Sequence, residues 1–270
     1  MIRKFFSSIR LGMRTVGFVV ITIVTWACLE LQSLVLRKAR RIDLVNLWVA
    51  RWARLSLWAY NIQVESRGPY LDKGNLHSAE GPDCVGRIFV ANHRSGVDIP
   101  ILLSVVEAHP ISRHDLANWP LLGKSAKRVG TLFVDRDSRR SGASVLREIG
   151  RTLAVGEGVL MFPEGTSFQG DEVHEFHAGA FNSARRAGAQ IVPLGIAYGD
   201  EAAYFYHESF MAHMMRVGKL SKLQVAVEVG QPLDTDPEDP VKTIACAHEQ
   251  VQALVHQARA RLDSMSTPHK

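Results

Sequence analysis

The feature that most constrains this chain is a stretch of 22 residues between Arg14 and Arg37 that carries one charge, Glu30. Its part from Thr15 to Leu29 is uncharged throughout. About 20 predominantly apolar residues cross the hydrocarbon core of a bilayer, so this segment is long enough to span one. It does not read as a cleaved export signal. The apolar run is long, no small-x-small site follows it, and Arg37, Lys38, Arg40 and Arg41 come next. Basic residues flank both ends, so charge asymmetry assigns no orientation.

Charge sharpens this reading. Residues 1–54 hold ten basic side chains against Glu30 and Asp43, a net +8, so the other 216 residues carry −3 of the chain's overall +5. A nucleic-acid protein spreads its basic footprint over a folded face. Here the cluster brackets an apolar stretch, which points to anionic lipid and away from nucleic acid. A second segment, from Leu44 to Tyr60, places Leu47, Trp48, Trp52, Leu55 and Trp58 at mostly helical spacing around Arg51 and Arg54. That pattern predicts an amphipathic helix with interfacial aromatics. Two helices packed on a soluble body is the plainer alternative to a membrane anchor.

From about Asn61 the pattern changes. Short apolar runs at 87–91, 130–134, 158–162, 190–197 and 223–229 alternate with helical stretches, of which 141–155 and 241–262 are the clearest. This predicts an α/β fold with a mixed or largely parallel sheet flanked by helices. Residues 1–60 are thus read as N-terminal membrane-associated helices and 61–270 as one further domain. Cys28, Cys84 and Cys246 lie at wide, unrelated spacings, without a metal pattern or an even disulfide framework. A reducing compartment fits them best.

Several motifs fail on inspection. Gly123-Lys124-Ser125 ends like a phosphate-binding loop, but Asn118 stands where the opening glycine belongs. No Gly-x-Ser-x-Gly elbow is present, which argues against a lipase. His174 and His177 beside Glu172 and Glu175 lack metal-site spacing, so no metal is expected. The segment Phe89 to Asp98 is different. An apolar run ends in a polar turn, with His93 five residues before Asp98 and Pro100 just beyond. Proline suits a helix's first turn, so Asp98 should lie at a helix start. Folded back, its carboxylate would fix one imidazole nitrogen and leave the other for a substrate hydroxyl. A lone pair of this kind on a loop is usually structural.

Three further segments accompany it: Phe133 to Arg136, Phe162 to Thr166, and Val192-Pro193. A proline inside an apparent strand is expected at an edge or a bulge. Four polar loops after four apolar runs suggest one cleft at the carboxyl ends of a sheet. In order and rough spacing, these blocks resemble the glycerolipid acyltransferase family typified by 1-acylglycerol-3-phosphate O-acyltransferases. Its Asn-His-x-x-x-x-Asp block is matched by Asn92, His93 and Asp98, and its strand ending in Arg by Phe133 to Arg136. Phe162 through Thr166 match its Phe-Pro-Glu-Gly-Thr block, and Val192-Pro193 its Val-Pro pair. The resemblance covers about residues 60–230.

The resemblance implies transfer of a fatty acyl group from acyl-CoA or acyl-carrier protein to a lysolipid hydroxyl, without cofactor, on the cytoplasmic face of a membrane. It makes His93 the general base and Asp98 its partner. It assigns Asn92, Arg136, Glu164, Gly165, Thr166 and Pro193 to substrate binding, with Arg136 gripping phosphate or an anionic head. Ser95 suits a turn better than a nucleophile. Two positions depart from the pattern: Ser167 stands where many members carry Arg, and His177 where Lys is common. Members that acylate lyso-ornithine lipids look similar around residues 119–123 and 133–136. Lysophosphatidic acid is the first-ranked acceptor, an amino-acid lysolipid the second, and a non-catalytic membrane-binding protein a distant third reading.

Overall fold

The structure, a computed structural model, describes residues 2–36, 41–71, 76–135, 138–236 and 238–266. Two long helices come first, α1 (Ile2–Val35) and α2 (Arg41–Ala59). A seven-stranded sheet follows: β1 (Ile62–Arg67), β2 (Ile88–Ala91), β3 (His109–Arg113), β4 (Leu132–Val134), β5 (Val159–Met161), β6 (Ile191–Tyr198) and β7 (Leu223–Val229). Between and after the strands lie α3 (Asp98–Leu103), α4 (Leu122–Arg128), α5 (Arg139–Ala154), α6 (Gly179–Ala187), α7 (Phe210–Lys219) and α8 (Pro240–Ser266). The strand order is β1-β7-β6-β2-β5-β3-β4. Every neighbouring pair is parallel except β6 with β7. The mixed α/β sheet predicted from the sequence is the observed fold.

Period-two alternation splits the core into two layers. Phe89 and Ala91 of β2 join Val192, Leu194 and Ile196 of β6 on the face covered by α2 and α3. Ile88 and Val90 join Val159, Met161 and Ile191 on the face covered by α5, α6 and α8. All four β2 residues are fully buried, because the strand is central in the order and covered on both faces. β2, β5 and β6 run parallel, so their carboxyl ends share one edge of the sheet.

One expectation needs correction. Pro193 does not begin a fourth polar loop, nor does it sit on an edge. It lies inside β6, an interior strand that runs on to Tyr198, level with Val90 of β2. Its carbonyl accepts the Gly230 amide at 2.8 Å, so its donor-less nitrogen faces the 230–233 segment that follows β7. The β6–β7 ladder begins only at Leu194↔Val229, and an isolated bridge pairs Ile191 with Leu233. Residues 192–193 thus lie opposite three residues, 230–232, so the proline sits at a bulge, the other place expected for it, where a missing N–H costs no regular hydrogen bond.

Helix α1 is amphipathic in an inverted sense. Its buried stripe is largely polar, with Arg14, Thr22, Thr25, Leu29 and Ser33, while Met13, Val16, Val20, Ile23, Val24, Leu31 and Leu34 are exposed. From Phe6 to Val35 it is long and apolar enough to cross a membrane. Polar side chains fasten the inner stripe. Trp52 Nε1 donates to Thr22 Oγ1 at 3.1 Å, and Trp48 Nε1 to Gln32 Oε1 at 3.1 Å. Arg128 of α4 pairs with Glu30 at 2.6 Å. Helix α2 contributes Ala53 and Leu57 to the main core, so the two helices are packed on the body as well as apolar outside.

Candidate active site

The site grows from the carboxyl end of β2. Asn92 continues the strand with its side chain. Its Nδ2 donates to the Ile196 carbonyl at 2.9 Å and its Oδ1 accepts the Ile196 amide at 2.8 Å. Fully buried and doubly bonded, this amide anchors the turn to β6. The chain then turns over residues 93–97 and enters α3 at Asp98, with Pro100 in the first turn, as its sequence predicts.

Asp98 is completely buried, and the turn is wrapped around its carboxylate. Oδ2 receives His93 Nδ1 at 2.7 Å and the backbone amides of Arg94 at 2.7 Å and Ser95 at 2.9 Å. Oδ1 accepts the hydroxyl of Tyr198, the last residue of β6. Burial, then the charge of Asp98, holds the Tyr198 phenol well above its usual range, so it remains a donor. Four donors in fixed positions suit an ionised carboxylate. With Nδ1 held by Asp98, Nε2 is the ring nitrogen of His93 left for another partner. The ring is stacked on Phe162 with centroids 4.3 Å apart, and its side chain is 20% exposed. The imidazole is thus fixed both at one ring nitrogen and across its face.

A second buried pair backs the first. Arg94 and Glu164 are 1% and 0% exposed, with Arg94 Nη1 3.0 Å from both carboxylate oxygens. Glu164 Oε1 also accepts the His93 amide at 2.8 Å, and Oε2 the His174 amide at 3.2 Å. Arg94 reaches on to the Gly170 carbonyl at 2.6 Å and the Glu172 carbonyl at 2.5 Å. Glu164 therefore fastens the His93 turn to the 164–174 loop. Gly165 has φ +75, and a Cβ there would come within 2.8 Å of the His177 ring. Only glycine fits that turn with His177 laid over it. Thr166 is exposed and Ser167 half-exposed beside it. Pro193 stays buried within β6. Arg136 lies outside the described residues.

Next to the turn, an apolar cavity of about 460 Å³ lies between parts of the helical pair and of the body. Gly96, Ile99 and Pro100, which flank Asp98, form part of its wall. Phe18, Trp26 and Leu29 of α1, Trp48 and Trp52 of α2, and Ala126 of α4 also line it, as does Trp119, set edge-on to Phe210 of α7. No group of three or more metal-ligating side chains is gathered among the described residues. His174 instead stacks on Phe168, with centroids 3.6 Å apart.

Three contributors carried no local signal in the sequence: Arg94, Tyr198 and His213 of α7. Tyr198 reaches Asp98 across 100 positions. His213 Nε2 accepts the Gly96 amide at 2.9 Å. Arg94 adjoins His93, but nothing nearby marks Glu164 as its partner.

The family model described as Acyltransferase matches residues 79–197. The lyso-ornithine lipid O-acyltransferase of Pseudomonas aeruginosa is 28% identical over 171 residues, covering 61% of this chain and 66% of that protein. A 1-acyl-sn-glycerol-3-phosphate acyltransferase of Neisseria gonorrhoeae is 35% identical over 116 residues, covering 43% and 46%. The chain thus spans from about half to about two thirds of the length of these curated relatives. The crystal structure of the 1-acyl-sn-glycerophosphate acyltransferase of Thermotoga maritima superposes with a TM-score of 0.74 at 19% identity, over 96% of this chain and 98% of that one.

Proposed function

We propose, from the match of residues 79–197 to the family model described as Acyltransferase, that this chain moves a fatty acyl group from a thioester to the free hydroxyl of a lysolipid at a membrane. The thioester is acyl-CoA or acyl-carrier protein. The first-ranked acceptor is 1-acylglycerol-3-phosphate, which would give phosphatidic acid. His93 Nε2 takes the acceptor's hydroxyl proton as its oxygen attacks the thioester carbonyl. The C–O bond forms, the C–S bond breaks, and the imidazolium returns the proton to the departing thiolate. Asp98 holds the imidazole and balances its positive charge. Such general-base help contributes roughly 10²–10⁴-fold.

The observation that carries this reading is the His93–Asp98 pair, 2.7 Å apart, set beside an apolar cavity of about 460 Å³ suited to an acyl chain. A lipase would need a nucleophile beside the base, and Ser95 Oγ is instead turned to His213 at 3.1 Å. The exposed apolar face of α1 would lie in lipid and hold the cleft at the bilayer surface, with the body on the cytoplasmic side where both donors occur.

A second acceptor has a specific observation in its favour. Ser167 brings neither the positive charge nor the bidentate fork that an Arg there would offer to phosphate. The relative from Pseudomonas aeruginosa acts, by its name, on lyso-ornithine lipid. Reconstituted protein assayed with lysophosphatidic acid and lyso-ornithine lipid decides between them. We expect transfer to lysophosphatidic acid, and Ser167→Arg should lower its KM about tenfold, as one charge-assisted bond would. Preference for the amino-acid lysolipid in both proteins would overturn the first-ranked acceptor. Transfer to neither would overturn the activity.

A further inference from the structure

Helix α7 carries a histidine that chemistry at His93 does not require, yet its side chain is fully buried against the catalytic turn. His213 Nε2 lies 2.9 Å from the Gly96 amide and 3.1 Å from Ser95 Oγ. A backbone N–H can only donate, so Nε2 is an acceptor and the ring hydrogen sits on Nδ1. That nitrogen faces Glu208 Oε1 at 3.5 Å and Arg216 Nη2 at 3.2 Å. Arg216 is itself occupied by Glu208 and by the Tyr204 carbonyl. Burial, then the Arg216 charge, lowers the imidazole to about 4, so it is neutral across the working range.

The turn is pressed tightly onto this helix. A Cβ on Gly96 would come within 2.8 Å of the Phe210 ring and 2.9 Å of the His213 ring. Ser95, which also contacts His213, gives its amide to Asp98 Oδ2, the oxygen that holds His93. The other end of α7 is tied to the membrane helix. Arg14 donates to the carbonyls of Gly218 at 3.0 Å, Leu220, and Ser221 at 3.2 Å, capping the helix's C-terminus with a cation. Leu11 of α1 packs so closely on Gly218 that a Cβ there would meet its side chain at 2.6 Å.

We propose that His213 is a positioning residue for acyl transfer: its neutral imidazole receives the Gly96 amide and sets the 93–98 turn, and α7 is the strut that ties this turn to α1. The proposal rests on the acyl-transfer reading for its kinetic consequence, and on geometry alone for the hydrogen bond.

The test compares His213→Leu, His213→Gln and Gly96→Ala in the full-length protein, reconstituted in vesicles. Leucine removes the acceptor, whereas a glutamine Oε1 can reach the place of Nε2. We expect His213→Leu to lower kcat about thirtyfold, with the acceptor KM within about threefold, as for one orphaned buried donor in a fixed turn. Hydrogen exchange at the Gly96 amide should speed up about tenfold or more. His213→Gln should restore both readouts to within about threefold of wild type. Gly96→Ala, which leaves His213 in place and lifts the turn, should lose kcat as the leucine variant does; it serves also if the leucine variant fails to fold. Leucine and glutamine variants that behave alike would overturn the role of the acceptor. Wild-type kcat in both the leucine and the alanine variants would overturn positioning. If the wild type transfers no acyl group, the activity reading fails, and the exchange measurement alone decides whether His213 holds the turn.

Discussion

The His93–Asp98 turn and the helical pair lie on either side of one cavity and are stabilised by opposite means. Around Asp98, polar groups are buried and matched almost atom for atom: His93, two backbone amides and Tyr198 on one carboxylate, Arg94 and the His93 amide on Glu164. Around α1 and α2, the cavity wall is apolar and broad, and polar ties at Arg14, Thr22 and Glu30 set the position. Hydrogen bonds fix angles and distances within tenths of an ångström, whereas apolar packing fixes volume and tolerates variety. A base that must meet one hydroxyl needs the first. A chamber for a flexible chain needs only the second.

The sharpest way to break the polar side is Asp98→Asn. The amide would turn a donor toward groups that are themselves donors and would remove the charge that supports an imidazolium. We expect kcat to fall roughly 10³-fold or more, in line with carboxylate loss beside a catalytic histidine. Steady-state rates with saturating acceptor measure it, and a loss below about tenfold would mean that the buried network is scaffolding only.

Glu164→Gln probes the same side through stability. It leaves Arg94 as a buried cation without its counter-ion, a change that costs about 3–5 kcal/mol when one partner of a buried pair is lost. At this chain length the apparent Tm should drop by about 10 °C. Thermal unfolding in detergent reads this directly, and an unchanged Tm would show that Glu164 is not what holds the His93 turn.

The apolar side should respond more weakly and selectively. Ala126→Trp, on the α4 wall of the cavity, removes volume without touching a hydrogen bond. Long-chain donors should be used about tenfold less well, while short-chain donors keep their rate, since a lost methylene or two is worth only about 1–3 kcal/mol. Donors of graded length, assayed in parallel, check this. Equal loss at every length would place the acyl chain elsewhere.

The two sides also differ in how far they could be read from the sequence. His93 and Asp98 were legible because the strand, turn and helix start that bring them together occupy a dozen consecutive residues. α5 and α8 were legible from their periodicity. β1 and β3 were not. β1 is an edge strand with Glu65, Ser66 and Arg67 exposed, and β3 reads His-Pro-Ile-Ser-Arg, so neither is apolar by its own residues. Pro193 misled for the same reason: whether a missing N–H matters depends on which segment lies alongside, and that is set by residues 230–233. Tyr198 and His213 act on the turn from 100 and 117 positions away, distances over which periodicity carries no information. The apolar face of α1 was evident, but its polar inner stripe makes sense only once Trp52 and α7 are seen against it.

The central claim is that His93 Nε2 is the base of an acyl transfer. It is tested most directly by initial rates with wild type and His93→Ala, purified and reconstituted with a thioester donor and a lysolipid acceptor. The account predicts a rate about 10³-fold lower for the alanine variant, at an unchanged unfolding temperature. A rate within about threefold of wild type would contradict it, since general-base help is worth at least about 10²-fold.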